Sequence, residues 1–136
     1  MLISSTKLRV RYGETDQMGV VYHGNYALYL EMARTEALRQ IDITYKSIEE
    51  NGVMMPVVNL NINYKKPARY DDELTIKTMF FGMPTVKSVI DYEVFNEAGD
   101  LLCTAQTTLV FVDMKTNKVT RCPERLAAKF APYFNV

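Results

Sequence analysis

A short segment near the N-terminus concentrates side chains that could do chemistry. Residues 16–26, DQMGVVYHGNY, contain Asp16 and also His23, the single histidine of the chain. The segment follows a predicted strand and leads into a predicted helix, where the first backbone N–H groups lack intrahelical partners. Such N–H groups stabilise a developing oxyanion, while a carboxylate beside them attacks a carbonyl carbon or deprotonates a water molecule. These parts are the minimum needed to hydrolyse an activated acyl group without a metal ion or a serine.

Two alternatives to this interpretation stay open from the residues alone. In a purely structural one, Asp16 is a turn residue, His23 is a side chain at the helix entry, and the glycines only ease the turn. Within the reactive interpretation, Glu14 lies two residues before Asp16 and is a rival for the acid role. Elementary chemistry does not separate the two carboxylates.

Other kinds of site find little support in the sequence. A zinc site needs three or four close Cys, His or carboxylate ligands, whereas this chain has one histidine and two distant cysteines, Cys103 and Cys122. No serine lies in a G-x-S-x-G motif, and neither a P-loop nor a G-x-G-x-x-G follows a strand. Cys103 falls inside a predicted strand, which favours core packing over a nucleophile. We therefore predict no metal and no cofactor.

The length and charge of the chain indicate its broad class. Its 136 residues predict a single domain over 1–136. The 16 basic and 16 acidic residues cancel, so no global field would attract nucleic acid. No stretch approaches the ~18 uninterrupted apolar residues of a membrane span, and no signal-peptide core is present, so membrane insertion is not expected. The cysteines form no pattern of pairs, which predicts a cytoplasmic protein.

The segment that follows the reactive residues has the period of an amphipathic helix. Apolar residues recur every three or four positions and predict one buried stripe, formed by Tyr26, Leu30, Ala33, Ala37 and Ile41. Asn25 is the predicted N-cap of this helix. The spacings Glu31–Arg34 and Glu36–Arg39 predict surface ion pairs.

Alternation of apolar and polar residues predicts strands on both sides of the helix. The apolar positions are Leu8, Val10 and Tyr12; Leu60, Ile62 and Tyr64; Leu74, Ile76 and Phe80; and Ile90, Tyr92 and Val94. A long strand at 101–113 is predicted to return from a hairpin loop at 96–100. A short helix is predicted to close at Gly52, and Pro123 suits the first turn of a terminal helix.

This order of elements predicts an α+β fold. Short turns favour antiparallel neighbours, so one antiparallel sheet with a single long helix on its apolar face is the simplest architecture. One helix covers only part of such a sheet. We therefore expect a homodimer, in which a second copy covers the rest.

Three segments of the sequence resemble a known family. Residues 10–39, VRYGETDQMGVVYHGNYALYLEMARTEALR, are similar to the hotdog-fold acyl-CoA thioesterases of the 4-hydroxybenzoyl-CoA thioesterase type, in their YbgC/FadM-like branch. YKKPARYDDELTI resembles the segment that joins two strands after the helix in that family. GDLLCTAQTTLVFVDMKTNKVTRCPERL resembles its final strands and tail. The resemblance implies a hotdog fold, in which the sheet wraps around one long central helix.

The resemblance also implies roles for individual residues. Asp16 falls on the catalytic aspartate of the family, with Tyr12 and His23 on the residues that accompany it. The backbone N–H groups at His23 and Gly24 would bind the thioester oxygen. The implied substrate contacts are Val20, Val21, Asn25, Lys87 and Ser88, with the last two near the nucleotide phosphates. The family forms dimers, often joined into tetramers, with the active site at the dimer interface.

The implied activity is hydrolysis of an acyl-CoA by Asp16, acting as nucleophile or general base. Three alternatives remain beside it. The acyl donor could be acyl carrier protein, because the basic run that holds the CoA phosphates in some relatives is reduced here to Lys87 and Ser88. The protein could be a hotdog binding or scaffold protein without turnover. It could also be a hydratase or dehydratase of acyl thioesters.

Overall fold

The fold is an antiparallel sheet around one helix, as the computed structural model describes it for residues 1–135. The strands are β1 (Leu2–Arg9), β2 (Val53–Met54), β3 (Val57–Tyr64), β4 (Glu73–Phe80), β5 (Lys87–Phe95), β6 (Leu101–Asp113) and β7 (Lys118–Thr120). The helices are α1 (Asn25–Gln40), α2 (Tyr45–Glu50) and α3 (Glu124–Phe130). The strands follow the order β1-β4-β5-β6-β3, while β2 and β7 pair with the end of β6. These pairings are all antiparallel, as predicted.

Alternate residues of the central strands fill the core, as their period predicts. The inward side chains of β4 and β5 are at most 1% exposed at Leu74, Ile76, Phe80, Ile90, Tyr92 and Val94. Cys103 on β6 is also fully buried, and burial raises the pKa of its thiol to about 11. Because this thiol stays protonated at neutral pH, Cys103 is a core side chain rather than a nucleophile.

Helix α1 lies on this inner face with its predicted stripe buried. The five stripe residues are between 0% and 7% exposed, at Tyr26, Leu30, Ala33, Ala37 and Ile41. The helix contacts strands β1 and β4. Ala33 and Ala37 have no atoms beyond Cβ, so they permit this close approach. No helix among residues 1–135 is long and apolar enough to cross a membrane.

One of the two predicted ion pairs on α1 is wrong. Arg39 lies 2.8 Å from Glu36, as expected. Arg34, however, is only 8% exposed, and its Nε donates to the hydroxyl of Tyr45 at 3.0 Å. Arg34 is four residues after Leu30 on the helix, so its side chain lies at the border of the buried stripe and turns inward instead of meeting Glu31.

The first strand is shorter than predicted. It ends at Arg9, and residues Tyr12–Glu14 form a 3-10 helix. Val10 still exchanges two backbone hydrogen bonds with the turn at 71–72, at 2.9 and 3.0 Å. Val10 is 1% exposed, so the alternation predicts the correct buried face, although the strand ends earlier than predicted.

The short elements lie where their punctuating residues predict. Gly52 follows α2 with φ +85°, a conformation that glycine adopts without steric cost. The hairpin loop at 96–100 is closed by a hydrogen bond from Asn96 N–H to the carbonyl oxygen of Asp100 at 3.1 Å. Pro123, predicted in the first turn of the terminal helix, is instead the N-cap of α3, one residue before that turn.

Strand β3 is only partly covered. One side of it pairs with β6, and no strand among residues 1–135 pairs with the other side. Two side chains of its inner, apolar face are 43% and 52% exposed, at Leu60 and Tyr64. The predicted uncovered part of the sheet is therefore present, and it is the β3 edge.

Candidate active site

The loop between β1 and α1 is held by backbone contacts to the turn that precedes β4. Thr15 and Val21 form an isolated antiparallel bridge, and Val20 forms another with Arg69. The N–H of Val21 also donates to the carbonyl oxygen of Ala68 at 2.8 Å. These contacts fix the loop at the end of the sheet where α1 begins.

Asp16 begins a tight turn in this loop. Its Oδ1 accepts the N–H of Met18 at 2.8 Å. Its backbone N–H donates to the carbonyl oxygen of Val20 at 2.9 Å, and its own carbonyl oxygen accepts the N–H of Gly19. Gly19 has φ +78°. Oδ2 accepts no hydrogen bond from residues 1–135. Asp16 is thus both a turn residue and a half-buried carboxylate with one oxygen free for a reactant.

The start of α1 presents two unpaired backbone donors. The N–H of Tyr22 donates to the carbonyl oxygen of Glu14 at 2.9 Å, and the N–H of Asn25 donates to that of Tyr22 at 2.9 Å. Between them, the N–H groups of His23 and Gly24 have no protein acceptor within residues 1–135. Gly24 has helical angles, φ −64° and ψ −22°. Both free N–H groups therefore lie at the positive end of the helix dipole, which favours a bound negative charge.

Asn25 is the first residue of α1, so its prediction as the N-cap is wrong. The N-cap position is Gly24, which has no side chain that could accept a hydrogen bond. The Nδ2 of Asn25 instead donates to the carbonyl oxygen of Glu14 at 2.8 Å. An N-cap asparagine would cover an N–H group of the first turn with its own oxygen. Here the side chain instead points back to the loop and ties the helix start to Glu14.

The glycine at position 24 makes room for an aromatic ring. A Cβ atom at Gly24 would lie 2.8 Å from Cε2 of Tyr22. The ring of Tyr22 packs against the imidazole of His23 with their centroids 4.4 Å apart, and both rings are exposed. A side chain at position 24 would displace Tyr22 and, through it, His23.

Three tyrosines support the helix start, and sequence reasoning assigned none of them to the site. The hydroxyl of Tyr64 donates to the carbonyl oxygen of His23 at 3.2 Å. The ring of Tyr26 packs edge-on against Tyr64 at 5.3 Å and against Tyr29 at 5.7 Å. Tyr64 is the last inward position of β3. In the sequence, this position is the one indication that Tyr64 lies near the end of the sheet. Its contact with the helix depends on the packing of two elements distant in sequence.

Glu14 and Asp16 lie in different environments although they are two residues apart. The Glu14 carboxylate accepts hydrogen bonds at 2.8 to 3.1 Å from the backbone N–H and guanidinium of Arg11 and from the hydroxyl of Tyr29. Burial alone would raise the pKa of Glu14, but these hydrogen bonds and the charge of Arg11 lower it overall. Glu14 is a weakly basic carboxylate with both oxygens engaged. Asp16 is therefore better placed to react.

The other predicted residues near the loop differ in exposure. Tyr12 is 77% exposed and packs edge-on against Tyr70, with the ring centroids 5.4 Å apart. Val20 is partly exposed, whereas Val21 is 5% exposed and belongs to the core. Among residues 1–135, no three His, Cys, Asp or Glu side chains are grouped so as to hold a metal ion. The roles predicted for Tyr12, Val20 and Val21 stay predictions.

Lys87 and Ser88 lie at the other end of the sheet. They begin β5, and the last residue of that strand, Phe95, pairs with the start of β4 beside the loop. The length of β5 separates Lys87 from this end by roughly 26 Å, at 3.3 Å per residue. Lys87 is exposed, and Ser88 is buried on the inner face. Within one chain, the predicted phosphate contacts and Asp16 are therefore separated by the length of the sheet.

An antiparallel sheet around a central helix is the architecture of the hotdog class of proteins. The profile of the thioesterase-like superfamily matches residues 10–130. The chain belongs to this superfamily.

Known relatives cover most of the chain. YneP of Bacillus subtilis is 38% identical over 118 residues, which are 87% of this chain and 86% of that protein. The acyl-CoA thioester hydrolase YbgC of Escherichia coli O157:H7 is 34% identical over 123 residues, 90% of this chain and 92% of that protein. A solved structure of the DHNA-CoA thioesterase from Staphylococcus aureus has a TM-score of 0.85 and 38% identity, and the match covers 99% of this chain and 85% of that one. These matches confirm the family and the hotdog fold.

Proposed function

We propose that this chain is an acyl-CoA thioesterase, which hydrolyses the thioester of an acyl-CoA to a free acid and CoA. Asp16 acts as nucleophile or general base, and the N–H groups of His23 and Gly24 bind the carbonyl oxygen. The observation that carries this proposal is the pair of unpaired N–H groups at the start of α1, on the same loop as a carboxylate with a free oxygen. Membership of the thioesterase-like superfamily supports the reaction class, and so does YbgC, which is named an acyl-CoA thioester hydrolase.

The two routes differ in the bond that Asp16 forms. As a nucleophile, its oxygen adds to the thioester carbon, the C–S bond breaks with loss of the CoA thiolate, and water hydrolyses the resulting anhydride. As a general base, Asp16 takes a proton from the water whose oxygen adds to that carbon, and the proton passes to the departing thiolate. Both routes form a tetrahedral oxyanion, which the two N–H donors stabilise. A thioester suits so small a site because its carbonyl is weakly resonance-stabilised and thiolate leaves readily.

Five side chains beside that of Asp16 take part in the proposed site. His23 and Tyr12 have exposed rings that a bound substrate can reach. Val20 and Val21 follow the Asp16 turn and are proposed to contact the acyl group. Asn25 holds the helix start in place through its hydrogen bond to the preceding loop.

The site is proposed to lie between two copies of the chain. A second β3 strand pairing antiparallel with the first would satisfy the open edge and cover the exposed side chains of Leu60 and Tyr64. A two-fold axis at this edge reverses the direction of the second sheet. Lys87 and Ser88 of the second copy then lie toward the Asp16 end of the first, where they can approach the CoA phosphates. Homodimers, and tetramers built from them, are the proposed assembly.

The surroundings of the enzyme complete the proposal. We place it in the cytoplasm, in keeping with two free cysteines, without a nucleic acid partner and without membrane insertion. CoA is the proposed carrier of the acyl group, and acyl carrier protein is the alternative. A binding or scaffold protein without turnover is the alternative function.

A screen of thioesters tests the proposal. The protein is incubated with short, medium, long and aromatic acyl-CoA esters and with acyl carrier protein thioesters, and the released thiol is measured. We expect hydrolysis of at least one acyl-CoA class, with little hydrolysis by Asp16→Asn protein at the same concentration. Turnover of carrier-protein thioesters alone would replace CoA as the donor. Equal, negligible turnover of every ester by both proteins would support the scaffold function instead.

A further inference from the structure

Glu14 makes hydrogen bonds to several parts of the proposed site, although neither proposed route uses it in a chemical step. Its Oε1 accepts the backbone N–H of Arg11 at 2.8 Å and the hydroxyl of Tyr29 at 2.9 Å. Its Oε2 accepts Nε and Nη2 of the Arg11 guanidinium at 3.1 and 2.8 Å. The side chain is only 15% exposed. A carboxylate with four protein donors is held in one position.

The peptide oxygen of Glu14 reaches the helix start directly. It accepts the N–H of Tyr22 at 2.9 Å and Nδ2 of Asn25 at 2.8 Å. These two partners lie immediately before and after His23 and Gly24, whose N–H groups are unpaired. One carbonyl oxygen therefore fixes both flanks of the two free donors.

The carboxylate of Glu14 extends this connection into the helix. Tyr29 is one turn beyond Asn25 on α1, so the backbone oxygen and the side chain of Glu14 together bind two successive turns. In the other direction, only Thr15 separates Glu14 from Asp16, and Thr15 is fixed by its bridge to Val21. Glu14 is thus linked to Asp16 along the chain and to the start of α1 by hydrogen bonds.

We infer that Glu14 is a positioning residue for the proposed reaction: its ionised carboxylate, held by Arg11 and Tyr29, sets the separation between the Asp16 carboxylate and the N–H groups of His23 and Gly24. This inference rests on the proposed function. Glu14 itself does not touch the substrate. Its effect is on the geometry of attack, where a displacement of about 1 Å can cost roughly a hundred-fold in rate.

Two substitutions disturb this link in different ways. Glu14→Gln keeps the size of the side chain but turns an NH₂ group toward the Arg11 guanidinium or the Tyr29 hydroxyl. Tyr29→Phe removes a single hydrogen bond to Glu14 and keeps the ring that packs against Tyr26. We expect kcat to fall roughly ten- to a hundred-fold for Glu14→Gln and by a smaller factor for Tyr29→Phe, with KM little changed, because alignment is lost rather than binding.

The chain offers a matched control on the same helix. Glu36 and Arg39 form an ion pair with the same three-residue spacing and the same 2.8 Å distance as Glu14 and Arg11, away from the loop. Glu36→Gln should leave kcat and KM unchanged. The double variant Glu14→Gln/Tyr29→Phe should lose less activity than the product of the single losses, because both act through one contact.

The test is a steady-state measurement of kcat and KM for these variants, with the folded fraction of each determined at the assay temperature. A kcat loss in fully folded Glu14→Gln protein, with unchanged KM, supports the positioning role. An unchanged kcat, or a loss explained by the unfolded fraction alone, overturns it. If the wild-type protein hydrolyses no thioester, the proposed function fails and this inference fails with it. If the wild-type protein is active and both variants match it, only this inference fails.

Discussion

At the scale of single residues, the reactivity proposed for this site depends on which atoms have no hydrogen-bond partner within residues 1–135. Asp16 uses one oxygen to hold its turn and keeps the other free, whereas Glu14 has both oxygens engaged. The N–H groups of His23 and Gly24 have no protein acceptor within residues 1–135, because they precede the first hydrogen-bonded turn of α1 and the N-cap, Gly24, has no side chain. Hydrogen bonding rather than residue type distinguishes the carboxylate proposed to react from the structural one.

The lowered pKa of Glu14 links stability to pH. Its folded-state pKa lies below the ordinary value of 4.5, so the ionised group stabilises the fold above that pH, and this contribution is lost as the pH falls through the folded value. We expect the wild type to be more stable than Glu14→Gln at neutral pH and the difference to shrink below 4.5. Urea unfolding of both proteins over the acid range measures it. A difference that stays constant or grows toward acid pH would contradict the ionised hydrogen-bonded state.

The sequence indicates the residues proposed to react better than the residues that support them. Asp16, His23 and Gly24 stand out as an acid, a histidine and a glycine at a strand-to-helix transition, but it is the family resemblance that implies a reactive role for them. The support from Tyr64 could not be predicted, because its partner is a backbone oxygen 41 residues away in the chain. The spacing of Glu31 and Arg34 carries no information about which side of the helix faces the core.

At the scale of elements, α1 both fills the core and ends in the site. Its small residues allow close packing on β1 and β4, while its N-terminus is anchored by the loop and by Tyr64. Arg34 is the exception within the buried stripe. No carboxylate within residues 1–135 pairs with it, and its Nε depends on the Tyr45 hydroxyl.

Removing that hydroxyl should destabilise the fold. Tyr45→Phe leaves the buried Nε of Arg34 without its acceptor, and we expect a loss of about 1–3 kcal/mol in the free energy of unfolding. Chemical denaturation measures it. Tyr133→Phe is the matched control, because that tyrosine is 42% exposed and should change stability little. Equal stability of the two variants would show that Arg34 does not depend on Tyr45.

The elements themselves follow from periodicity. The stripe of α1 and the inward residues of β4 and β5 were predictable because each repeats over several positions with one burial pattern. The end of β1 was not predictable, because Val10 continues the alternation of apolar and polar residues although its backbone pairs with a turn and not with a strand. The distance of Lys87 from Asp16 could not be predicted either. It depends on which end of the sheet β5 starts from, and pairings between distant segments decide that.

At the scale of the whole molecule, the open β3 edge determines how the site can be completed. A single copy leaves Leu60 and Tyr64 exposed and keeps Lys87 a sheet length from Asp16. An antiparallel pairing of two β3 edges would cover Leu60 and Tyr64 and would also bring Lys87 of one copy toward Asp16 of the other.

A substitution on β3 tests this pairing. Leu60→Lys places a charge on the face that the second copy should cover, and we expect a shift toward monomer in light scattering coupled to gel filtration. Val119→Lys alters another exposed strand residue, 57% exposed on β7, and should leave the assembly unchanged. A Leu60→Lys protein that assembles like the wild type would place the interface elsewhere.

Mixed dimers test whether the site is shared. If Asp16 of one copy works with Lys87 of the other, a dimer of one Asp16→Asn chain and one Lys87→Met chain contains one intact site and one doubly altered site. We expect this mixed dimer to show wild-type KM and about half the wild-type kcat per dimer, since one of two independent sites is intact. A mixed dimer with only the raised KM of Lys87→Met would place both residues in one chain.

The turnover of Asp16→Asn protein tests most directly whether this carboxylate performs the reaction. Asparagine can still hold the turn through its side-chain oxygen, so the variant should fold and assemble normally while kcat falls roughly a hundred- to ten-thousand-fold, as for loss of a general base. Asp113→Asn is the matched control, because Asp113 Oδ1 accepts the N–H two residues later at 2.8 Å in the same way but lies far from the helix start. We expect a large loss for Asp16→Asn and none for Asp113→Asn on the same acyl-CoA. Near-normal hydrolysis by Asp16→Asn would contradict this expectation.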